Sequence, residues 1–192
     1  MSESDFDPRQ AAILLSAQQA FATYGFRKTS MDDIARGAGM SRPALYLHYR
    51  NKDDIYRALV EYYYAHAVQE VAAALEGEGS VSDLLAAAFE AQGGEVARIM
   101  LTSPHGMEIL DAGTDTAGDL VKAGEGRLSV VYALWLSRAA EAGQVRLTGP
   151  AEEVAVMLTT VLKGIKCVVP DYPTYRARVA QFAALAGAGL TA

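Results

Sequence analysis

Between residues 30 and 49 the sequence writes two short helical segments joined by a turn of only four residues. Ser30-Met31-Asp32-Asp33 reads as a capping box, with Asp33 standing in for the usual glutamate, and opens a helix carrying Ile34 and Ala35. That helix stops within Gly37-Ala38-Gly39. Ser41 then caps a second segment, Arg42-Pro43-Ala44-Leu45-Tyr46-Leu47-His48, whose proline falls in the first turn, where its missing N–H is no loss. Two short capped helices with a glycine-bearing turn between them form a helix-turn-helix pattern.

Helical periodicity dominates the rest of the chain, and strand-like alternation is almost absent. A first helix is expected from Asp7-Pro8, with Leu14, Ala17, Phe21 and Tyr24 on one face and Gly25 as its stop. A long helix is expected from Lys52 through Tyr62, Tyr63 and Tyr64 toward Leu75. Ser80 and Asp83 restart a helix over 81–92, Gly93-Gly94 is expected to break it, and a shorter one follows over 95–102. Pro104 introduces another near 105–112. The four glycines between 112 and 126 predict weak structure there, and Asp111-x-Gly113-Thr114-Asp115 is expected to be a polar loop rather than a calcium site. A strong helix then carries Leu128, Val131, Leu134, Trp135 and Arg138. Two apolar helices close the chain, about 150–168 and 174–188, separated by Pro170-Asp171-Tyr172-Pro173. The fold class is therefore all-α: a three-helix N-terminal domain over 1–52, and a larger helical domain over 53–192.

The net charge of −6 argues at first against a nucleic-acid partner, but its distribution reverses that. Residues 1–60 hold eight Lys/Arg against seven Asp/Glu, and the remaining 132 hold nine against sixteen. Within 27–57 seven basic residues face four acidic ones. An acidic body with one mildly basic end suits a protein that touches phosphates at that end. Three histidines, one cysteine (Cys167), no nucleophile elbow and no phosphate-binding glycine loop leave few options for catalysis. No enzyme activity, cofactor or metal site is expected. Met1-Ser2-Glu3-Ser4-Asp5 is too acidic for a secretory signal, and no apolar run approaches the ~20 residues that span a bilayer, so the cytoplasm is the expected compartment.

A recognition helix needs one apolar face for anchoring and the other face open to base edges. Leu45 and Tyr49 share the anchoring face, while Arg42, Pro43, Ala44, Tyr46 and Leu47 remain for DNA. Arg42 suits a bidentate contact to guanine, and Leu47 a thymine methyl. Tyr46, His48 and Lys52 are placed for phosphates, as are the hydroxyls of Ser30 and Ser41.

The stretch Thr29–Ile55 resembles the signature of the tetracycline-repressor (TetR) family. The resemblance rests on the helix led by Ser30, the turn Ala38-Gly39-Met40-Ser41, the recognition helix Leu45-Tyr46-Leu47-His48-Tyr49, and Lys52. Phe21-x-x-Tyr24-Gly25-Phe26 is similar to the family's end of its first helix. Asp32 departs mildly from a position where many members carry a polar or basic residue. The resemblance covers about residues 10–60. It implies an all-helical homodimer of about nine helices that binds palindromic operator DNA, usually a repressor released by a small-molecule inducer. An activator, or a related DNA-binding protein without ligand sensing, is the alternative.

For the second domain, the resemblance implies that the last two helices pair with those of a second copy. Val154, Met157, Val161, Ile165, Tyr175, Val179 and Phe182 are the expected interface residues. An inducer pocket is expected in the middle of the chain, and Phe89, Met100, His105, Met107, Tyr132 and Trp135 are its expected lining, suited to a largely apolar ligand.

Overall fold

The structure is a computed structural model that describes residues 7–191; the acidic stretch Met1–Asp5 lies outside the described residues. Eight helical segments follow one another: α1 (Pro8–Tyr24), α2 (Met31–Gly37), α3 (Arg42–Tyr46), α4 (Lys52–Leu75), α5 (Val81–Thr102), α6 (Gly106–Glu141), α7 (Ala151–Val168) and α8 (Tyr172–Leu190). Non-helical backbone at Ala117 (φ −136°, ψ 22°) divides α6 into two, which brings the count among the described residues to nine. The fold is all-α. A single antiparallel bridge between Val145 and Thr191 is its extended pairing among those residues.

Local chemistry sets the helix ends. The Asp7 carboxylate accepts from the Arg9 N–H at 3.2 Å ahead of Pro8, and the Gly25 N–H returns to the Phe21 carbonyl at 3.0 Å. Gly25 takes φ +82°, a conformation costly for a residue with a Cβ. The same reciprocal capping box opens two helices: Ser30 with Asp33 before α2, and Ser80 with Asp83 before α5. Asp171 caps α8 by accepting from the Thr174 N–H at 2.7 Å.

Two expectations give way to packing. Gly93-Gly94 does not break the chain, because Val81–Thr102 is one helix with both glycines buried inside it. A Cβ at Gly93 would collide with the Tyr175 hydroxyl, so this glycine makes room for a neighbouring helix at the expense of helix propensity. Residues 112–126 are helical as well, including the Asp111–Asp115 stretch read as a loop. The kink at Ala117 leaves the Thr116 carbonyl available, and Arg57 Nη1 donates to it at 2.9 Å. Arg57 also grips Asp119 through two parallel bonds of 2.7 and 2.8 Å. That grip pushes the Asp119 carboxyl from 3.8 down to about 2.

The chain packs as two compact units. Among the described residues, the first comprises those up to His66 together with Ile99–Gly124; the second comprises Ala67–Arg98 and those from Glu125 onward. The packing unit that holds the three short helices is thus larger than residues 1–52. In the first unit, Ile13, Leu14, Ala17, Phe21, Ile34, Leu45, Ile55 and Tyr56 form one core with Ala112 and Ala117. Phe21, Phe26 and Tyr56 meet pairwise at 5.2–5.8 Å between ring centres, and the Tyr56 hydroxyl donates to the Ile109 carbonyl at 2.7 Å. Burial pushes that hydroxyl's pKa up to about 12. In the second unit, Phe89 stacks on Phe182 at 5.2 Å and meets Tyr132 at 6.0 Å, beside buried Leu85, Leu128, Leu136, Leu158 and Tyr175.

Candidate nucleic-acid interface

Helices this short hold their shape only when their ends and inner faces are tied down. Leu45, fully buried, anchors α3, and Ile34 and Ala35 anchor α2 in the same core. Polar side chains reinforce them from beneath. The buried Ser16 hydroxyl donates to the Ile34 carbonyl at 2.8 Å, and the buried Thr29 hydroxyl to the Gly25 carbonyl at 2.7 Å. The turn between α2 and α3 passes through Gly39 at φ +67°, a left-handed corner that glycine adopts without strain. Tyr49 packs half-buried on the core, as its place opposite the open face requires.

What remains outside is the surface expected to read DNA. Ser41, Arg42 and Pro43 are exposed, Tyr46 is 42% exposed, and Leu47 is 86% exposed, an apolar side chain standing in solvent. Ala44 and His48 are half-buried. The regular helix ends at Tyr46, and Leu47 and His48 continue it as a turn. The Ser41 hydroxyl accepts from the Ala44 N–H at 3.3 Å, which leaves its own proton available for a phosphate oxygen. Ser30 differs: its proton is donated to Asp33 at 2.6 Å, so the phosphate role expected of it would require breaking that bond.

Lys52 also has another task. Its ammonium lies 2.6, 3.0 and 3.2 Å from the carbonyls of Phe26, Arg27 and Thr29, and 4.7 Å from the centre of the Phe26 ring. Three donors on three acceptors exhaust an ammonium group, so the expected phosphate contact is left without a donor in this conformation. Lys52 instead ties the start of α4 to the segment between α1 and α2. The exposed cations of this module are Arg9, Arg27, Lys28, Arg36, Arg42 and Arg50. All but Arg9 lie in the basic stretch 27–57, and of the six only Arg42 carries an expected base contact.

Arg42 is not loose on this surface. Its Nη1 donates to Asp32 Oδ2 at 3.1 Å and its Nη2 to the Tyr46 hydroxyl at 3.2 Å. These contacts, Tyr46 foremost and then Asp32, raise the guanidinium's pKa further above its ordinary value. Asp32 is a site residue to which sequence pattern alone assigns no contact.

The residues expected to line an inducer pocket divide between the two units. Phe89, Tyr132 and Trp135 are buried in the second. Met100, His105 and Met107 belong to the first, where Met107 is 65% exposed and His105 Nδ1 lies 3.6 Å from Glu108. A groove of about 580 Å³ between α5 and α8 is lined by Ala86, Glu90, Tyr172, Pro173, Arg176 and Val179, and by none of the six. Among the described residues no group of three His, Cys, Asp or Glu is arranged to hold a metal ion, and no helix is long and apolar enough to cross a membrane.

The residues expected at a dimer interface differ in exposure. Val154, Tyr175 and Val179 are 5%, 2% and 3% exposed, covered by neighbours within the chain. Val161, Ile165 and Phe182 are half-buried, and Met157 alone of the seven is exposed. The apolar side chains that do stand outward are Val156, Met157 and Val168 on α7 and Leu185 on α8.

The model of the family described as bacterial regulatory proteins, tetR family, matches residues 13–59. The HTH-type transcriptional regulator EthR of Mycolicibacterium smegmatis is 42% identical over 55 residues, which are 29% of this chain and 25% of that protein. A second curated relative is likewise matched over only 39% of its length. The HTH-type transcriptional repressor Rv1474c of Mycobacterium tuberculosis is 28% identical over 172 residues, 86% of this chain and 84% of that protein. Among solved structures, a complex of SmeT with triclosan superposes with a TM-score of 0.70 at 20% identity, covering 97% of this chain and 93% of that one. At that identity the likeness is one of fold.

Proposed function

We propose that this chain is a sequence-specific DNA-binding transcriptional regulator of the TetR family, a reading supported by the match of residues 13–59 to that family's model. It represses by binding a palindromic operator as a dimer, and a small, largely apolar ligand releases it. The observation that carries this reading is the contrast across α3. Leu45 is fully buried while Arg42, Pro43, Tyr46 and Leu47 point a mixed cationic, hydroxyl and methyl-contacting surface outward.

A dimer would set two such helices about 34 Å apart, one turn of DNA. Met157 and Val168 on one side of α7, with Leu185 on α8, supply exposed apolar groups on which a second copy would seat. Phe89, Tyr132 and Trp135 are the aromatic groups around which a ligand cavity in the second unit would open. That SmeT was solved with triclosan supports a ligand of apolar character. Ligand and DNA must then weaken each other by the same factor.

Selection from a randomised duplex library, with the Arg42→Ala/Tyr46→Ala protein alongside, tests the reading. Enrichment of a palindromic site by the native protein alone is the expected result. Equal enrichment by both proteins would remove this face from DNA recognition.

A further inference from the structure

We infer that Asp32 is a specificity-determining residue, holding the Arg42 guanidinium in the orientation in which it reads a base; the inference rests on the DNA-binding reading above. Arg42 is restrained from two helices at once. Asp32, near the start of α2, accepts from Nη1 at 3.1 Å, and Tyr46, one turn along α3, accepts from Nη2 at 3.2 Å. The guanidinium carbon also lies 5.5 Å from the centre of the Tyr46 ring. An unrestrained surface arginine explores many rotamers and must be ordered on binding. This one is half-exposed, accessible to a ligand, and already ordered.

The donor count permits both tasks. A guanidinium carries five N–H groups, and Asp32 and Tyr46 take two. Three remain, and a bidentate contact to guanine O6 and N7 consumes two. Nor does Asp32 have a competing structural duty. The capping box of α2 is built by Asp33, which accepts from the Ser30 N–H at 3.0 Å and lies 3.7 Å from Arg36.

Two roles for a carboxylate at a DNA-binding surface make opposite forecasts. A carboxylate that merely faces phosphates weakens every sequence alike. One that orients an arginine favours sequences offering guanine there and disfavours the rest.

The experiment measures binding of the native protein, Asp32→Ala, Asp32→Asn, Arg42→Ala and the Asp32→Ala/Arg42→Ala double variant. The probes are the duplex recovered from the randomised library and its single-base substitutions, across a salt series. Arg42→Ala is expected to lose about 5- to 150-fold of discrimination at one base pair. Asp32→Ala should lose discrimination several-fold at that same pair and should bind other sequences more tightly. Asp32→Asn, which keeps an acceptor oxygen without the charge, should fall between. In the Arg42→Ala background, Asp32→Ala should leave the preference profile unchanged. A uniform affinity gain on every sequence from Asp32→Ala, with the profile intact, would overturn the inference and leave Arg42 as the reader. An unchanged profile in Arg42→Ala would overturn the underlying reading of Arg42, and the inference with it.

Discussion

The helices at the two ends of this chain are held in different ways. α2 and α3 have seven and five residues and bury few side chains, and polar ties supplement that burial: Ser16 to Ile34 of α2 and, in the loop before it, Thr29 to Gly25 and Lys52 to the carbonyls of Phe26, Arg27 and Thr29. α7 and α8 have 18 and 19 residues and are held by apolar burial, with further apolar side chains left outside. The difference separates two kinds of surface. A small module tied by side-chain bonds to main-chain carbonyls presents a preset array of polar groups, as base recognition requires. A long helical pair with exposed apolar residues presents the surface on which, in the proposed dimer, a second copy would seat.

This comparison is open to direct attack. Leu45→Ala removes the anchor of α3 and should cost about 2–5 kcal/mol of stability by urea denaturation. A smaller loss would show that the polar ties alone hold the module. Replacing the three carbonyl bonds in Lys52→Met should cost about 1.5–3 kcal/mol, with the salt dependence of DNA binding unchanged. A salt slope reduced by one unit would instead return Lys52 to the phosphate contacts.

At the other end, Met157→Asp with Leu185→Asp should leave helix content unchanged while sedimentation at micromolar concentration shifts to the single-chain mass. Retention of the larger mass would move the interface elsewhere. Gly93→Ala should destabilise by about 1–3 kcal/mol, because its Cβ meets the Tyr175 hydroxyl, and Tyr175→Phe should recover part of the loss. Helix propensity alone forecasts the opposite sign, a gain of about 1 kcal/mol.

The smallest effect concerns acid. The folded state holds the Asp119 carboxyl near 2, below its ordinary 3.8, so the folded chain binds this proton less readily than the unfolded one. The stabilisation is complete above pH about 4 and is lost as pH falls toward 2. Asp119→Asn should flatten that part of the acid-unfolding curve. An unaltered curve would show that the Arg57–Asp119 grip contributes nothing.

Features governed by neighbours in sequence were legible from residues alone. Ser30 with Asp33, Asp7 with Pro8, and Gly25 each act within four residues, and each does in the structure what its type and spacing imply. Leu45 inward and Arg42 outward follow from helical geometry. Features governed by distant neighbours were not. Gly93-Gly94 looks like a break until Tyr175 arrives beside it, and the glycines of 112–126 look weak until Arg57 closes on Thr116 and Asp119. α7 carries one broad apolar stripe through Val154, Met157, Val161, Ile165 and Val168, of which Val154 is buried and Met157 and Val168 are exposed. Periodicity cannot say which of them packs inward. Lys52 gave the clearest lesson of this kind. A cation at the start of a helix in a basic stretch invites a phosphate, and only the folded chain reveals three carbonyls closer to hand.

The central claim is that the exposed face of α3 reads bases in the major groove. It is tested most directly by replacing each guanine of the selected duplex in turn with 7-deazaguanine. That change deletes the N7 acceptor in the major groove and leaves base pairing and the minor groove intact. One replacement should weaken the native protein several-fold and leave Arg42→Ala unaffected. Equal weakening of both proteins at every guanine, or no weakening of either, would contradict the account.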